Sequence, residues 1–150
     1  MQNARFQQKS LRCKKVLIDW STKFFYSAYH DNYSAKGVSP MKLPFGNRAH
    51  IGDKLVDYTL NPLHPRGKHK ARKFKAVLGI TLETAEPLTQ ALIREAASSN
   101  GVMEAGKTTY GSVYELRFPL STDHGQATIS SIWIIRREES FPRLVTCFIL

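Results

Sequence analysis

The chain has 150 residues, 42% of them hydrophobic, and carries 22 Lys and Arg against 12 Asp and Glu, a formal net charge of +10 at pH 7. That length suits one domain with a tail, and no run of about 18 apolar residues is present to span a membrane. The charge favours polyanionic partners: nucleic acid, an acidic protein or an anionic membrane surface.

Residues 1–40 hold seven Lys and Arg against two acidic residues, with Phe6, Trp20, Phe24, Phe25, Tyr26, Tyr29 and Tyr33 among them. Leu17, Trp20, Phe24 and Ala28 fall at helical spacing, which predicts an amphipathic helix near 11–29. The polar, Gly- and Pro-containing stretch 31–40 reads as a linker. The basic start lacks an apolar core and a small-residue cleavage site, so it does not read as a signal peptide. Met41 resembles a natural start, leaving 1–40 as a basic, aromatic-rich extension and 41–150 as the domain. Cys13 and Cys147 lack metal-ligand spacing and fit a reducing, cytoplasmic setting.

Beyond Met41, Pro44–Asn47 reads as a turn and Arg48–Ile51 as a short strand. Asp53 is placed to cap a short helix to about Leu60, with Leu55, Val56 and Tyr58 or Thr59 inward. The stretch His64–Lys75 contains six Lys or Arg, two His and no acid. Ala71, Phe74 and Leu78 keep an i, i+3, i+7 beat through it, so it reads as a helix closed by Gly79. Lys68, Arg72 and Lys75 form a stripe beside its apolar edge. Cations at the helix start oppose the macrodipole, and an arriving anion would relieve that conflict. This leaves two readings open, a phosphate-binding helix start or a solvated cationic face.

A second helix is expected from about Thr84 to Ser98, capped by Thr84, with Leu88, Leu92 and Ala96 as its apolar stripe. Strand signals follow: Val102–Ala105, then Tyr110–Phe118 with Tyr114, Leu116 and Phe118 on one face. Thr122–Gly125 reads as a hairpin turn and Gln126–Arg136 as the next strand. Phe141–Leu150 is apolar on both faces, so it is expected to be central or covered. The fold class is α+β, with helices packed on a three- or four-stranded antiparallel meander.

Several segments resemble a small bacterial domain family of unassigned biochemistry. They are Met41-Lys42-Leu43-Pro44, Lys54-Leu55-x-x-Tyr58-x-Leu60-Asn61, His64-Pro65-x-Gly67-x-His69-Lys70-Ala71-x-x-Phe74 and Leu78-Gly79-Ile80, with Tyr110-Gly111, Ala127-Thr128-x-x-Ser131-x-Trp133-Ile134 and Phe141-Pro142-Arg143-Leu144 further on. The resemblance covers 41–150 and implies a setting near toxin–antitoxin and polymorphic-toxin genes. The order of helices and strands is also similar to that of barnase-like and RelE-like ribonuclease toxins, a likeness of fold that does not establish function.

Metal-independent RNA cleavage needs a base for the 2′-hydroxyl, an acid for the leaving oxygen and cations against the developing charge. His64 and His69 are the candidate acid–base pair, with Thr128 as a third catalytic candidate. Lys68, Lys70, Arg72, Lys75, Arg117 and Arg136 are the candidate nucleic-acid contacts. Tyr110, Glu115 and Arg117, with Thr128, Ser130 and Arg136, are expected on one sheet face, and they meet the helix only if its start overlies that face. His64 before Pro65 also suits a turn cap, and Trp133 suits the core as well as base stacking. No P-loop, Rossmann glycine pattern, GxSxG or HExxH appears, so neither metal nor other cofactor is expected. The resulting expectation is a toxin-like endoribonuclease. The alternative is a non-catalytic module that binds RNA or an acidic, antitoxin-type protein.

Overall fold

The computed structural model describes residues 41–150; the helix expected over 11–29 and the linker 31–40 lie outside them. Two helices, α1 (Lys68–Leu78) and α2 (Glu86–Ser98), precede four strands, β1 (Val102–Thr108), β2 (Gly111–Ser121), β3 (Gln126–Arg136) and β4 (Arg143–Ile149). The strands pair in chain order as an antiparallel meander, β1-β2-β3-β4. This is the α+β arrangement that the alternation of periods predicts.

Apolar alternation puts Tyr114, Leu116 and Phe118 of β2 beside Ile129 and Trp133 of β3 and Cys147 and Ile149 of β4. Ala71, Phe74 and Leu78 of α1 and Leu88, Leu92 and Ala96 of α2 bury against that face. Each large side chain so enclosed contributes roughly 2 kcal/mol. Trp133 belongs to this core: its Nε1–H donates to Ser131 Oγ at 3.0 Å, and Ser131 Oγ donates to the Leu116 carbonyl at 3.1 Å. The core reading of Trp133 therefore holds over base stacking.

Gly79 closes α1 as expected. At φ 66° it takes the left-handed conformation, its N–H reaching Lys75 O at 3.0 Å and that of Ile80 reaching Phe74 O at 3.2 Å. A Cβ at this position would run into the His124 ring. The β2–β3 hairpin fixes the same end, since Thr122 Oγ1 donates to the Leu78 carbonyl at 2.8 Å.

Three local expectations are corrected. Residues 48–51 make no strand; His50 forms one parallel bridge to Arg143, through its N–H to Pro142 O and the Leu144 N–H to its carbonyl. The expected helix near Asp53 is a single wide π-turn, Leu55–Thr59, with no side-chain cap, and it leaves Val56 55% exposed. Thr84 does not cap α2, which starts after Ala85; its hydroxyl is taken up within the preceding loop, accepting from Thr81 N and donating to Gly79 O. The expectation that the last strand is central or covered is met by the second alternative: β4 is the edge strand, with α1 and the π-turn packed against it.

Candidate functional site

The turn His64–Gly67 anchors the amino end of α1. The His64 Nδ1 accepts the Gly67 N–H at 2.9 Å and the Arg66 N–H at 3.2 Å, while its carbonyl accepts from Lys68 N at 3.1 Å. An accepting Nδ1 carries no proton, so the ring's own proton sits on Nε2. Gly67 lies so close under the π-turn that a Cβ would collide with the Tyr58 carbonyl oxygen. The N–H groups of Arg66, Gly67 and Lys68 are thus taken up by His64, which caps the turn ahead of α1, as the plainer reading of it has it.

That anchoring brings Tyr58, His64 and Lys70 together. The Tyr58 and His64 rings meet edge to face with centroids 4.8 Å apart. The Lys70 Nζ lies 4.6 Å from the Tyr58 ring centroid, 3.4 Å from its hydroxyl and 5.8 Å from the Phe148 centroid. It donates to Thr146 Oγ1 at 2.7 Å. Thr146 stands opposite Ile132 and Phe148 opposite Ser130, on the sheet face away from the core. Lys70 therefore leaves a helix packed on one face and carries its ammonium round the edge of β4 to the other. One turn later Lys73 Nζ donates to the Ile149 carbonyl at 3.1 Å, so two lysines clasp that edge.

No carboxylate lies within ion-pair distance of Lys70 among the described residues. Burial lowers its pKa to about 8, with the neighbouring Cys147 opposing that shift slightly. The Cys147 thiol on the core side is itself pushed up to about 12 by burial, against weaker effects of Lys70 and Thr59. The Thr59 hydroxyl is buried and finds no hydrogen-bond partner of good geometry; the Cys147 sulfur beside it interacts only weakly.

The other named residues do not join this cluster. His69, Arg72 and Lys75 point into solvent from α1, with Lys68 partly covered. Thr128 and Arg136 each lie four residues from Ile132 along β3 but in opposite directions, roughly 13 Å either way at about 3.3 Å per residue. Thr128 is exposed at one end, and Arg136 is 58% exposed at the other, 3.7 Å from Glu139. Arg117 is committed elsewhere: its Nε donates to Glu115 Oε1 at 2.8 Å and its Nη2 to Oε2 at 3.2 Å, while Ser130 Oγ donates to Oε1 at 2.6 Å. Glu115 is only 2% exposed, so this is a buried network and not a surface pair. Glu115, Arg117 and Ser130 do share one face, as alternation predicts, but the start of α1 meets that face only through Lys70. Sequence reasoning missed Tyr58 and Thr146 as partners of Lys70. The visible signal was that Tyr58, His64 and Lys70 recur in the quoted motifs.

The class of protein is thus a compact α+β domain whose meander edge is clasped by a cationic helix. The chain belongs to the family described as a domain of unknown function, DUF6883, whose model matches residues 42–150. Searches of curated proteins and of solved structures returned no match.

Proposed function

We propose that residues 41–150 form a nucleic-acid-directed domain that docks RNA along the outer side of α1. The distribution of charge carries this reading. Residues 41–150 hold 15 Lys and Arg against 10 Asp and Glu, an excess of five, and α1 alone supplies five cations and no acid. Lys68, Arg72 and Lys75 stand at i, i+4 and i+7, a row about 10 Å long at 1.5 Å rise per residue. Among the described residues none of the three has an ion-pair partner. Such a row neutralises phosphates and releases their counterions. Titrating the full chain with a labelled single-stranded RNA over a range of salt tests it. In the Lys68→Gln/Arg72→Gln/Lys75→Gln variant the affinity should fall at least about tenfold and the salt slope by about 2, near 0.7 per lost contact. Unchanged affinity and slope would remove α1 as the docking helix.

The toxin-like, metal-independent endoribonuclease is the second reading, favoured by one observation: Tyr58 touches both His64 and Lys70, so three proton-exchanging side chains gather at the head of the docking helix. Total RNA incubated with the full chain in EDTA should then be cleaved, and cleavage should be lost in Lys70→Met. RNA left intact by the wild-type chain would leave binding, to RNA or to an acidic antitoxin-type protein, as the whole function.

A further inference from the structure

We propose that the Lys70 ammonium, oriented by Thr146 and Tyr58 at the edge of β4, is a phosphate-binding group distinct from the outward cation row of α1. For its choice of ligand this rests on the RNA-docking reading above. The argument starts from charge accounting. The half-buried guanidinium groups among the described residues have their counterions within the fold: Arg117 has Glu115, and Arg143 has Glu139 at 2.8 Å. Lys70 has two hydroxyls and two ring faces. Hydroxyls and π-faces orient an ammonium but do not neutralise it, and a desolvated cation without an anion is costly. Two outcomes relieve that cost, loss of the proton or arrival of an anion. The Thr146 hydroxyl sits behind the ammonium, accepting from it, and is itself buried, whereas Lys70, His64 and Phe148 are each partly open to solvent. The approach to Nζ is therefore from the outer side of the cluster, where the docking row of the same helix begins at Lys68.

A phosphate bound there forces Lys70 to hold its proton, so affinity and protonation are linked. Because burial has brought Lys70 down to about 8, binding through it weakens as pH rises through that value. An arginine in the place of Lys70 keeps its charge throughout and gives no such dependence. The titratable groups facing Lys70 are Tyr58 on the π-turn, His64 on the following turn, Lys73 one helical turn on and Cys147 on β4. A window from pH 7.5 to 9.5 lies above ordinary imidazoles and below the raised Cys147 thiol.

The test is the affinity of the full chain, at constant salt, for an eight-residue oligoadenylate, whose phosphodiesters keep their charge throughout this window. Sulfate, followed by intrinsic fluorescence, serves as a second probe for a free tetrahedral anion. Wild-type affinity for the oligonucleotide should fall about fivefold or more between pH 7.5 and 9.5. Lys70→Arg should keep the pH 7.5 affinity and lose the pH dependence. Lys70→Met, its fold verified by circular dichroism, should bind weakly and flatly at both pH values. A flat wild-type profile, or Lys70→Met binding like wild type, overturns the proposal and leaves Lys70 as a tether between α1 and β4. If the oligonucleotide fails to bind while sulfate binds with the Lys70-dependent pH profile, the phosphate site stands and the RNA reading falls. If neither probe binds, both fall.

Discussion

Glu115 and Lys70 are both ionisable side chains drawn out of water, and the fold treats them in opposite ways. Glu115, on an inner strand, receives a two-pronged Arg117 and the Ser130 hydroxyl, so every oxygen of its carboxylate is held. Lys70, at the sheet edge, is held in place without being neutralised. The first arrangement is what a charge needs in order to act as structure. The second leaves an ammonium with no counterion among the described residues. Glu115 takes its counterion from its own strand, two residues on, and a hydroxyl from the adjacent β3, whereas the side chains that Lys70 of α1 reaches at the edge of β4 are the hydroxyls of Thr146 and Tyr58 and two rings.

The sharpest way to break the contrast is to remove the counterion of the settled charge. Arg117→Met leaves Glu115 with Ser130 alone. Breaking such a buried pair should cost about 3 kcal/mol, read as a lowered urea midpoint with an unchanged slope. A loss below about 1 kcal/mol would show that Glu115 is less dependent on its partner than its burial implies.

Removing the unsettled charge should do the reverse. Lys70→Met is expected to stabilise the domain by about 1 kcal/mol at pH 7, because it deletes an uncompensated ammonium while keeping the buried stem. The sign of the pH dependence follows from the lowered value, about 8 folded against 10.5 unfolded. The folded chain binds fewer protons between those limits, so wild-type stability gains from Lys70 as pH rises from about 8 towards 10.5. Cys147 acts in the opposite sense above pH 9, since its folded thiol keeps a proton that the unfolded chain releases. The difference between wild type and Lys70→Met isolates the lysine, and it should shrink on going from pH 7 to pH 10. A gap that widens instead would contradict the assignment.

The smallest effect is expected at Thr59, whose orphaned hydroxyl lies beside the Cys147 sulfur. Thr59→Val keeps the shape and removes an unsatisfied group, so it should gain roughly 0.5 kcal/mol in thermal or urea unfolding. Destabilisation would mean that the contact with sulfur is worth more than its geometry suggests.

What could be read from the sequence tracks the length of the periodic signal. Gln126–Arg136 alternates over its full length, and β3 occupies those residues. The beat of Ala71, Phe74 and Leu78, with Gly79 behind it, gave α1 and its cap. Between Met41 and Gly67 no period runs long enough to decide, and that segment is shaped by tertiary contact: His50 by its bridge to Arg143, and the π-turn by the close passage of Gly67 under Tyr58. The candidate site was legible only as composition. Helical projection sets Lys70 beside the apolar stripe, on the flank opposite Lys68 and Lys75, but an angle around a helix says nothing about whether a strand edge runs alongside it. For the same reason Thr128 and Arg136 looked convergent as members of one face, although the length of β3 keeps them roughly 26 Å apart at about 3.3 Å per residue. Alternation reports the side of a sheet but not the distance along it.

The clasp of α1 on β4 has a further consequence, for the order in which the domain comes together. Lys70 with Thr146 and Lys73 with Ile149 are both contacts across 76 positions of chain, whereas the hairpins between successive strands close over a few residues each. Loop-closure entropy favours the local pairs first. The meander is therefore expected to zip up from its turns before the cationic helix docks, and the helix seals the strand edge last. Until it does, β4 presents an open row of backbone donors and acceptors, the surface through which partly folded chains add to one another. Lys70 and Lys73 thus also guard the domain, at the end of folding, against self-association.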